Sequence, residues 1–525
     1  MNKVLKGLVA VAATAAMAIA GFAGASTAMA DTATGSIKVA EGDSHTYTVY
    51  QVFTGTYGSD GSLGDVKPGT DFNANNGAGD NGTNLTAAAA AEALAKIEST
   101  KSDQEKLTEI LKFANLSTPY NQTDLTANTP LNNVPAGYYL AKDKDGSVTG
   151  NDAQTLYIVN VVGNSEVTIT RKADKPTLVK KVKDKNDTDG TTTGWQDSAD
   201  YDVNDEVPFQ LTATLPTDEA DFAAYQSYKL VFTDNQSTGL TYDDGSFTVK
   251  YVSKDETKTA VLDSKAYKKK VTQPTETVNG SFTITIDDVK SLALKDSDNA
   301  DVTVAAGGKF TVEYTSTLNE NAVIGSTGNP NEASLEFSNN PNVGGKGETG
   351  KTPPDKVIVF TYQLDINKTF DQGNPADGDM PRFKLFKKGS DGDYTEVGDE
   401  ITLTKGGAKD QPTYTGSFSR IDDGEYKLVE SHTPAGYNTA ADKIFSITAD
   451  HDTDAIDPQL KWVKIDQTDG DRTNGTVQAD VVNKKGSNLP STGGMGTKIL
   501  YAAGAAIVLV AAFGIVFAVR RRNAR

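Results

Sequence analysis

The chain has 525 residues, a formal charge of −19, no cysteine and 37% hydrophobic residues. Its acidity argues against nucleic acid or anionic lipid as a partner. The missing thiols exclude a disulfide framework and any cysteine-based metal site, while the length is enough for about three domains with cores of their own.

Lys3 and Lys6 precede an Ala/Val-rich apolar segment reaching Phe22, and Ala28-Met29-Ala30 supplies the small-x-small pattern of a secretory cleavage site. Residues 1–30 therefore read as a signal peptide, and the exported chain begins at Asp31. An exported chain of this length without disulfides needs some other stabilising device.

Residues 31–172 open with a strand-like stretch over 35–57. Two helical stretches follow, 86–98 and 102–115, the second with a capping box in Ser102 and Glu105 and an apolar face of Leu107, Ile110, Leu111 and Ala114. Strands return over 137–169. Beyond them, short alternating runs such as 209–215 and 282–286 recur between turns rich in Gly, Asn, Asp and Thr. The pattern predicts an all-β chain of tandem immunoglobulin-like β-sandwiches, with helices inserted in the N-terminal one. The predicted units are 31–172, 173–352 and 353–485, with Pro353-Pro354 in a Gly-rich stretch as the second linker.

Several enzyme-like signals are set aside on context. Residues 345–352 fit the phosphate-loop pattern letter for letter, but that loop needs a buried strand before it and a helix after it. Here Asn339-Asn340-Pro341-Asn342 precedes the match and two prolines follow. His45, His432 and His451 are scattered over different units and read as surface or turn residues, with no triad or zinc cluster. The acidic run 184–190 misses the EF-hand spacing and reads as a solvated turn. The expectation is no enzyme of repeated turnover, no metal and no cofactor.

More informative are polar residues on the apolar face of a strand. Alternation places Lys180 with Leu178 and Val182, Asp234 with Leu230 and Phe232, and Asn339 with Ala333, Leu335 and Phe337. The third unit repeats the set: Lys368 with Leu364 and Ile366, Glu430 with Tyr426 and Leu428, Asn483 with Val481. Burial favours the neutral amine of a lysine and the neutral form of a carboxyl. A neutral amine can attack an asparagine amide while the acid polarises the carbonyl and relays protons. Ammonia leaves, and a Lys–Asn isopeptide bond remains after a single autocatalytic turnover.

The chain ends with Leu489-Pro490-Ser491-Thr492-Gly493, an uncharged apolar run over 499–519, and Arg520, Arg521, Arg522 and Arg525. At about 1.5 Å per residue the run can cross a hydrocarbon core of roughly 30 Å, with the arginines kept inside. The pentapeptide resembles the LPXTG sorting signal, which sortases cut between threonine and glycine; residues 486–525 are read as that signal with its transmembrane helix and basic tail.

The segment 424–430 followed by Thr433-Pro434-Ala435-Gly436-Tyr437 resembles the E-box of collagen-adhesin B-type (CnaB) domains, in which the glutamate promotes isopeptide formation. Lys180 within 175–182, Asp234 in Val231-Phe232-Thr233-Asp234, and Asn339 in residues 335–341 are similar to the middle domain of Gram-positive major pilins. Residues 50–55 and 137–143 look like that family's N-terminal domain, which here shows no clear lysine, acid and asparagine set and is expected to lack the bond. The resemblance implies a backbone subunit of a sortase-polymerised, cell-wall-anchored fimbria that mediates surface adhesion. Asp234 and Glu430 would be its isopeptide-promoting acids, with Lys180–Asn339 and Lys368–Asn483 as the bonds, each worth on the order of a few kcal/mol. Backbone pilins carry a linking lysine in a pattern like Val-x-Val-Tyr-Pro-Lys-Asn. Here Val167, Ile169 and Lys172 match, Thr170, Arg171 and Ala173 depart, and Lys175 competes with Lys172 for the role of accepting Thr492. Implied partners are copies of the chain itself, a pilin sortase and a housekeeping sortase, peptidoglycan, minor tip or basal pilins, and a host glycan or protein ligand. The alternative is a monomeric LPXTG wall-anchored adhesin whose sandwiches form a stalk.

Overall fold

The computed structural model describes residues 34–486 except 59–62, 75–84, 98–99, 121–122, 151, 172 and 409–410. The signal peptide, Lys172, the pentapeptide and the apolar tail lie outside the described residues. Among the described residues no helix is long and apolar enough to cross a membrane.

The first unit has two sheets. In one, Thr34–Val39 runs between Leu131–Pro135 and, in parallel, Glu166–Ile169. The other orders Leu63–Pro68, Tyr47–Tyr57, Gly137–Asp143 and Ile158–Val162. Helices Ala87–Ala95 and Asp103–Leu111 are capped by Thr86 and by the Ser102/Glu105 box. Their buried Ala90, Ala91, Leu107 and Ile110 share a core with Val52, Phe53 and Leu140. Val49, Tyr139 and Ala141 face the other way, onto Ile37 and Val39. Covering both faces explains why Gly137–Asp143 is buried at every position and shows no alternation.

The middle unit is a sandwich. One sheet runs Thr259–Val261, Thr248–Val252, Lys309–Leu318, Glu206–Thr214, Thr177–Val182. The other runs Lys268–Thr272, Gly280–Ile286, Leu230–Gln236, Asn329–Ser338, Asp355–Phe360, Ser198–Asp200. Every second residue of Glu206–Thr214, Leu230–Gln236 and Gly280–Ile286 is buried in one shared core.

The strand Asp355–Phe360 pairs with Asn329–Ser338, so it belongs to the middle unit. The predicted boundary at 353 moves accordingly: Pro353-Pro354 precedes the last strand of the middle sandwich, and the units meet at Thr361. Val357 and Val359 face the middle core, whereas Ile358 and Phe360 face the next one. Two sandwiches joined by one strand leading into the next have little freedom to swing.

In the third unit, Tyr362–Phe370 lies between Gln411–Ile421 and, in parallel, Thr476–Asn483, with Thr404–Ala408 at the edge. The facing sheet orders Tyr394–Thr402, Arg382–Lys388, Gly424–His432, Lys443–His451, Leu460–Ile465 and Thr468–Asp469. The phosphate-loop match is no nucleotide loop: Thr349–Lys351 forms a short strand on Asn329–Ser338. The cores described for the three units are built from residues 37–481.

Candidate isopeptide and sorting sites

Alternation in Tyr362–Phe370, Gly424–His432 and Thr476–Asn483 turns Lys368, Glu430 and Asn483 into the third core, and all three are buried. The parallel register sets Phe370 beside Asn483 and Lys368 beside Val481. The Lys368 amine contacts the Asn483 side-chain oxygen. Asn483 Nδ2 donates to Glu430 Oε1 at 2.7 Å, and Lys368 Nζ stands 3.9 Å from that oxygen. Glu430 Oε2 accepts from the Ala440 amide at 2.7 Å, which fixes the carboxyl. Burial lowers the Lys368 pKa to about 8, against the opposing pull of Glu430. An amine, a side-chain amide and a carboxyl are therefore in contact.

The middle unit places Lys180 and Asp234 together across the sandwich, each with a fully buried side chain. Lys180 Nζ donates to the Tyr314 hydroxyl at 2.8 Å and lies 5.2 Å from the Phe209 ring centre. Asp234 accepts from Tyr314 at 3.0 Å and from Tyr242 at 2.9 Å. Burial lowers the Lys180 pKa, opposed by Asp234.

Asn339 is not in this cluster, which corrects the third member of the predicted set. The strand ends at Ser338, and Asp234 pairs with Ala333. At about 3.3 Å per residue, six residues put Asn339 roughly 20 Å further along. There its Nδ2 donates to the Asp152 carbonyl at 3.4 Å and its own carbonyl accepts from Gln154 at 2.7 Å, docking the middle unit on the first. The residue beside the Lys180–Asp234 pair is Asn331. It is fully buried and donates to the Tyr314 hydroxyl at 2.9 Å, and its side-chain oxygen has no partner. Asn331 has the same parity as Ala333, Leu335 and Phe337. Following that pattern toward the strand's start, instead of only toward its end, would have found it. Tyr242 and Tyr314 gave no signal in the sequence beyond their aromatic character.

In the first unit, buried Lys106 and Lys142 pair with Asp103 at 3.9 Å and Asp145 at 2.7 Å. The flanks of Lys172 are held on both sides: Ile169 and Ala173 are buried, and the Asp174 carboxylate accepts from the Thr217 and Asp218 amides. The competitor Lys175 lies 3.4 Å from Asp152 Oδ1.

Two of the three histidines differ from the surface reading. His45 and His451 are buried. His45 Nδ1 lies 2.8 Å from Asp143, whose proximity raises its pKa against burial. Half-exposed His432 faces Asp379 at 2.7 Å. The acidic run 184–190 turns at 187–189 with Lys185, Asp189 and Gly190 exposed, as expected of a solvated turn, but its half-buried residues contact the third unit. Asn186 donates to Asp423 at 2.8 Å, Thr188 to the Lys388 carbonyl at 3.2 Å, and Lys387 Nζ binds Asp202 at 2.6 Å, Asp422 at 2.9 Å and Asp187 at 3.2 Å. These contacts clamp the middle unit to the third.

A family model described as an LPXTG cell wall anchor motif matches residues 481–524. The trypsin-resistant surface T6 protein of Streptococcus pyogenes serotype M6 is 26% identical over 424 residues, 68% of this chain and 71% of the relative. The solved T6 backbone pilin, described as a modular three-domain structure, superposes with a TM-score of 0.51 at 17% identity, covering 88% of this chain and all of that one. The full-length major pilin SpaD of Corynebacterium diphtheriae aligns over 87% of this chain and 98% of its own with a TM-score of 0.44 at 15% identity. This chain thus joins a cell-wall anchor to the fold of a three-domain backbone pilin.

Proposed function

We propose that this chain is the structural backbone subunit of a cell-wall-anchored fimbria, polymerised by sortase and locked internally by two Lys–Asn isopeptide bonds. The anchor match at the C-terminus and the three-unit fold ahead of it support the fimbrial reading. The observation that carries the internal bonds is the buried contact of Lys368, Asn483 and Glu430.

The chemistry balances without a cofactor. The neutral Lys368 amine attacks Asn483 Cγ, its surplus proton reaches the side-chain nitrogen through Glu430, and that nitrogen leaves as ammonia. In the middle unit Lys180 attacks Asn331 Cγ, with Asp234 as the relay and Tyr314 bridging amine, acid and amide. The reaction occurs once per site, so the subunit is a structural element and not an enzyme.

The topology gives these bonds a mechanical use. Tension enters the third unit at Tyr362 and leaves after Asn483, along neighbouring parallel strands. A bond from Lys368 to Asn483 carries that load past everything between them. In the middle unit a Lys180–Asn331 bond takes everything between those two residues out of the load path.

For polymerisation, a pilin sortase cleaves between Thr492 and Gly493 and passes the Thr492 carbonyl to Lys172 of the next subunit. A housekeeping sortase then transfers the last subunit to peptidoglycan. Lys172 is favoured over Lys175 because it keeps the spacing from Val167 and Ile169 of the linking pattern. Minor tip or basal pilins and a host glycan or protein ligand complete the proposed partners. An immunoblot of cell-wall extract tests the reading: a high-mass ladder is expected, whereas one discrete band assigns the chain to a monomeric wall-anchored adhesin.

A further inference from the structure

Between the middle and third units, beside the Lys387 clamp, lies a second group of buried ionisable side chains. His451 comes from the third unit, and Asp184 and Asp200 come from the middle one. Their ligand-type atoms lie within 4.8 Å of one another. Asp423 of the third unit adjoins the group, within the same 4.8 Å of Asp200.

The chemistry of His451 goes beyond an acidic cluster. Its imidazole is buried, and Nδ1 lies 2.7 Å from Ser198 Oγ. Ser198 has one hydroxyl proton, which it donates to the Asp452 carbonyl at 2.5 Å. Ser198 Oγ must therefore accept the Nδ1 proton, so Nε2 is the nitrogen that points between two carboxylates, whose charges raise the imidazole pKa against burial and whose shared cation would displace the Nε2 proton. Nε2 stands 3.6 Å from Asp200 Oδ1 and 3.8 Å from Asp184 Oδ2, too long for hydrogen bonds. Such spacings are close to those between donors that share one ion at about 2.0–2.2 Å. The fully buried Tyr362 hydroxyl, which makes no hydrogen bond of ordinary length, is also turned toward Asp200. Lys387 does not fill the gap, since its amine is taken by Asp187, Asp202 and Asp422.

We propose that His451 Nε2, Asp184 and Asp200 form a site for a divalent metal ion of the zinc class, which fastens the middle unit to the third. One imidazole and carboxylates suit such an ion better than calcium or magnesium, which prefer all-oxygen shells. Ser198 is the positioning residue: it holds the Nδ1 proton and so presents Nε2 to the ion, as outer-sphere partners of metal-bound histidines do.

The test is calorimetric titration of the soluble chain 31–486, stripped with EDTA, using Zn2+ with Ca2+ and Mg2+ as comparators. One Zn2+ per chain is expected, with a raised melting midpoint that EDTA reverses and no equivalent effect of Ca2+ or Mg2+. His451→Gln should abolish the binding, and Ser198→Ala, which keeps every ligand, should weaken it by about 10- to 100-fold. Both variants should retain the full loss of ammonia by mass, so failure here is distinguishable from failure of the fimbrial reading. Absence of Zn2+ binding, unchanged binding in both variants, or Ca2+ binding that survives His451→Gln would each overturn the proposal. So would a His451 imidazole that titrates identically with and without Zn2+, which would make it a plain ion-pair partner.

Discussion

Glu430→Ala isolates the third-unit bond. Lys368 and Asn483 stay in contact in this variant, but the carboxyl that accepts from Asn483 Nδ2 at 2.7 Å is gone, and with it the group assigned to move the proton. Lys368 and Asn483 lie 115 residues apart in sequence. In the chain-entropy model, a cross-link closing a loop of that size removes about 5 kcal/mol of unfolded-state freedom. For a unit of about 125 residues, this corresponds to a fall of roughly 20 °C in the melting midpoint. Intact-mass measurement of the soluble chain 31–486 reads the chemistry, and scanning calorimetry reads the stability. The wild type should fall short of its sequence mass by two ammonias and the variant by one, with only the third-unit transition moved. Lys368→Ala should give the same mass deficit of one ammonia. A Glu430→Ala chain with the wild-type mass deficit would refute the reasoning, because the bond would then form without the acid.

Further outcomes follow from the same contacts. Asn331→Ala should restore one ammonia to the mass, as should Asp234→Ala, whereas Asn339→Ala should restore none and only loosen the contact between the first and middle units. Asn483→Ala keeps Lys368 buried and unbonded, with a folded pKa of about 8 against an ordinary 10.5. The unfolded chain then holds the extra proton between those values, so stability should rise with pH across that window by up to about 3 kcal/mol. The bonded wild type has no amine to titrate there and should be flat by comparison. Lys387→Met leaves Asp202 and Asp422 buried and unpaired, and should cost about 3–5 kcal/mol in chemical denaturation, merging or reordering the transitions of the middle and third units. Deleting Leu489 to Gly493 while keeping the apolar tail should leave monomer in the membrane fraction, and persistence of ladders would show that another signal is used.

The strand pattern was legible because most sandwich strands bury one face. Period-two alternation placed Lys180, Asp234, Lys368, Glu430 and Asn483 inside, and each is buried. It did not say where a strand stops: Asn339 lies one residue past the end at Ser338, and Asn331 carried the same parity. Gly137–Asp143 showed no alternation because helices cover its second face. The boundary at Thr361 was hidden because a Pro-Pro pair reads locally as a linker, whereas pairing of Asp355–Phe360 with a strand some 25 residues earlier is a long-range fact. The inter-unit contacts of the half-buried part of 184–190 and the burial of His451 were hidden for a similar reason: their partners come from about 200 or more residues further along or back in the chain.

The covalent link between subunits is the centre of the account, and tandem mass spectrometry of fimbriae released from the cell wall tests it most directly. The expected finding is a branched peptide in which the Thr492 carbonyl is joined to the Lys172 side chain, absent from a Lys172→Ala strain whose monomers still fold and reach the wall. A branch on Lys175 would move the linking residue and leave the polymer standing. Wall-derived material with no branch from Thr492 to any lysine of a second copy would contradict the backbone role.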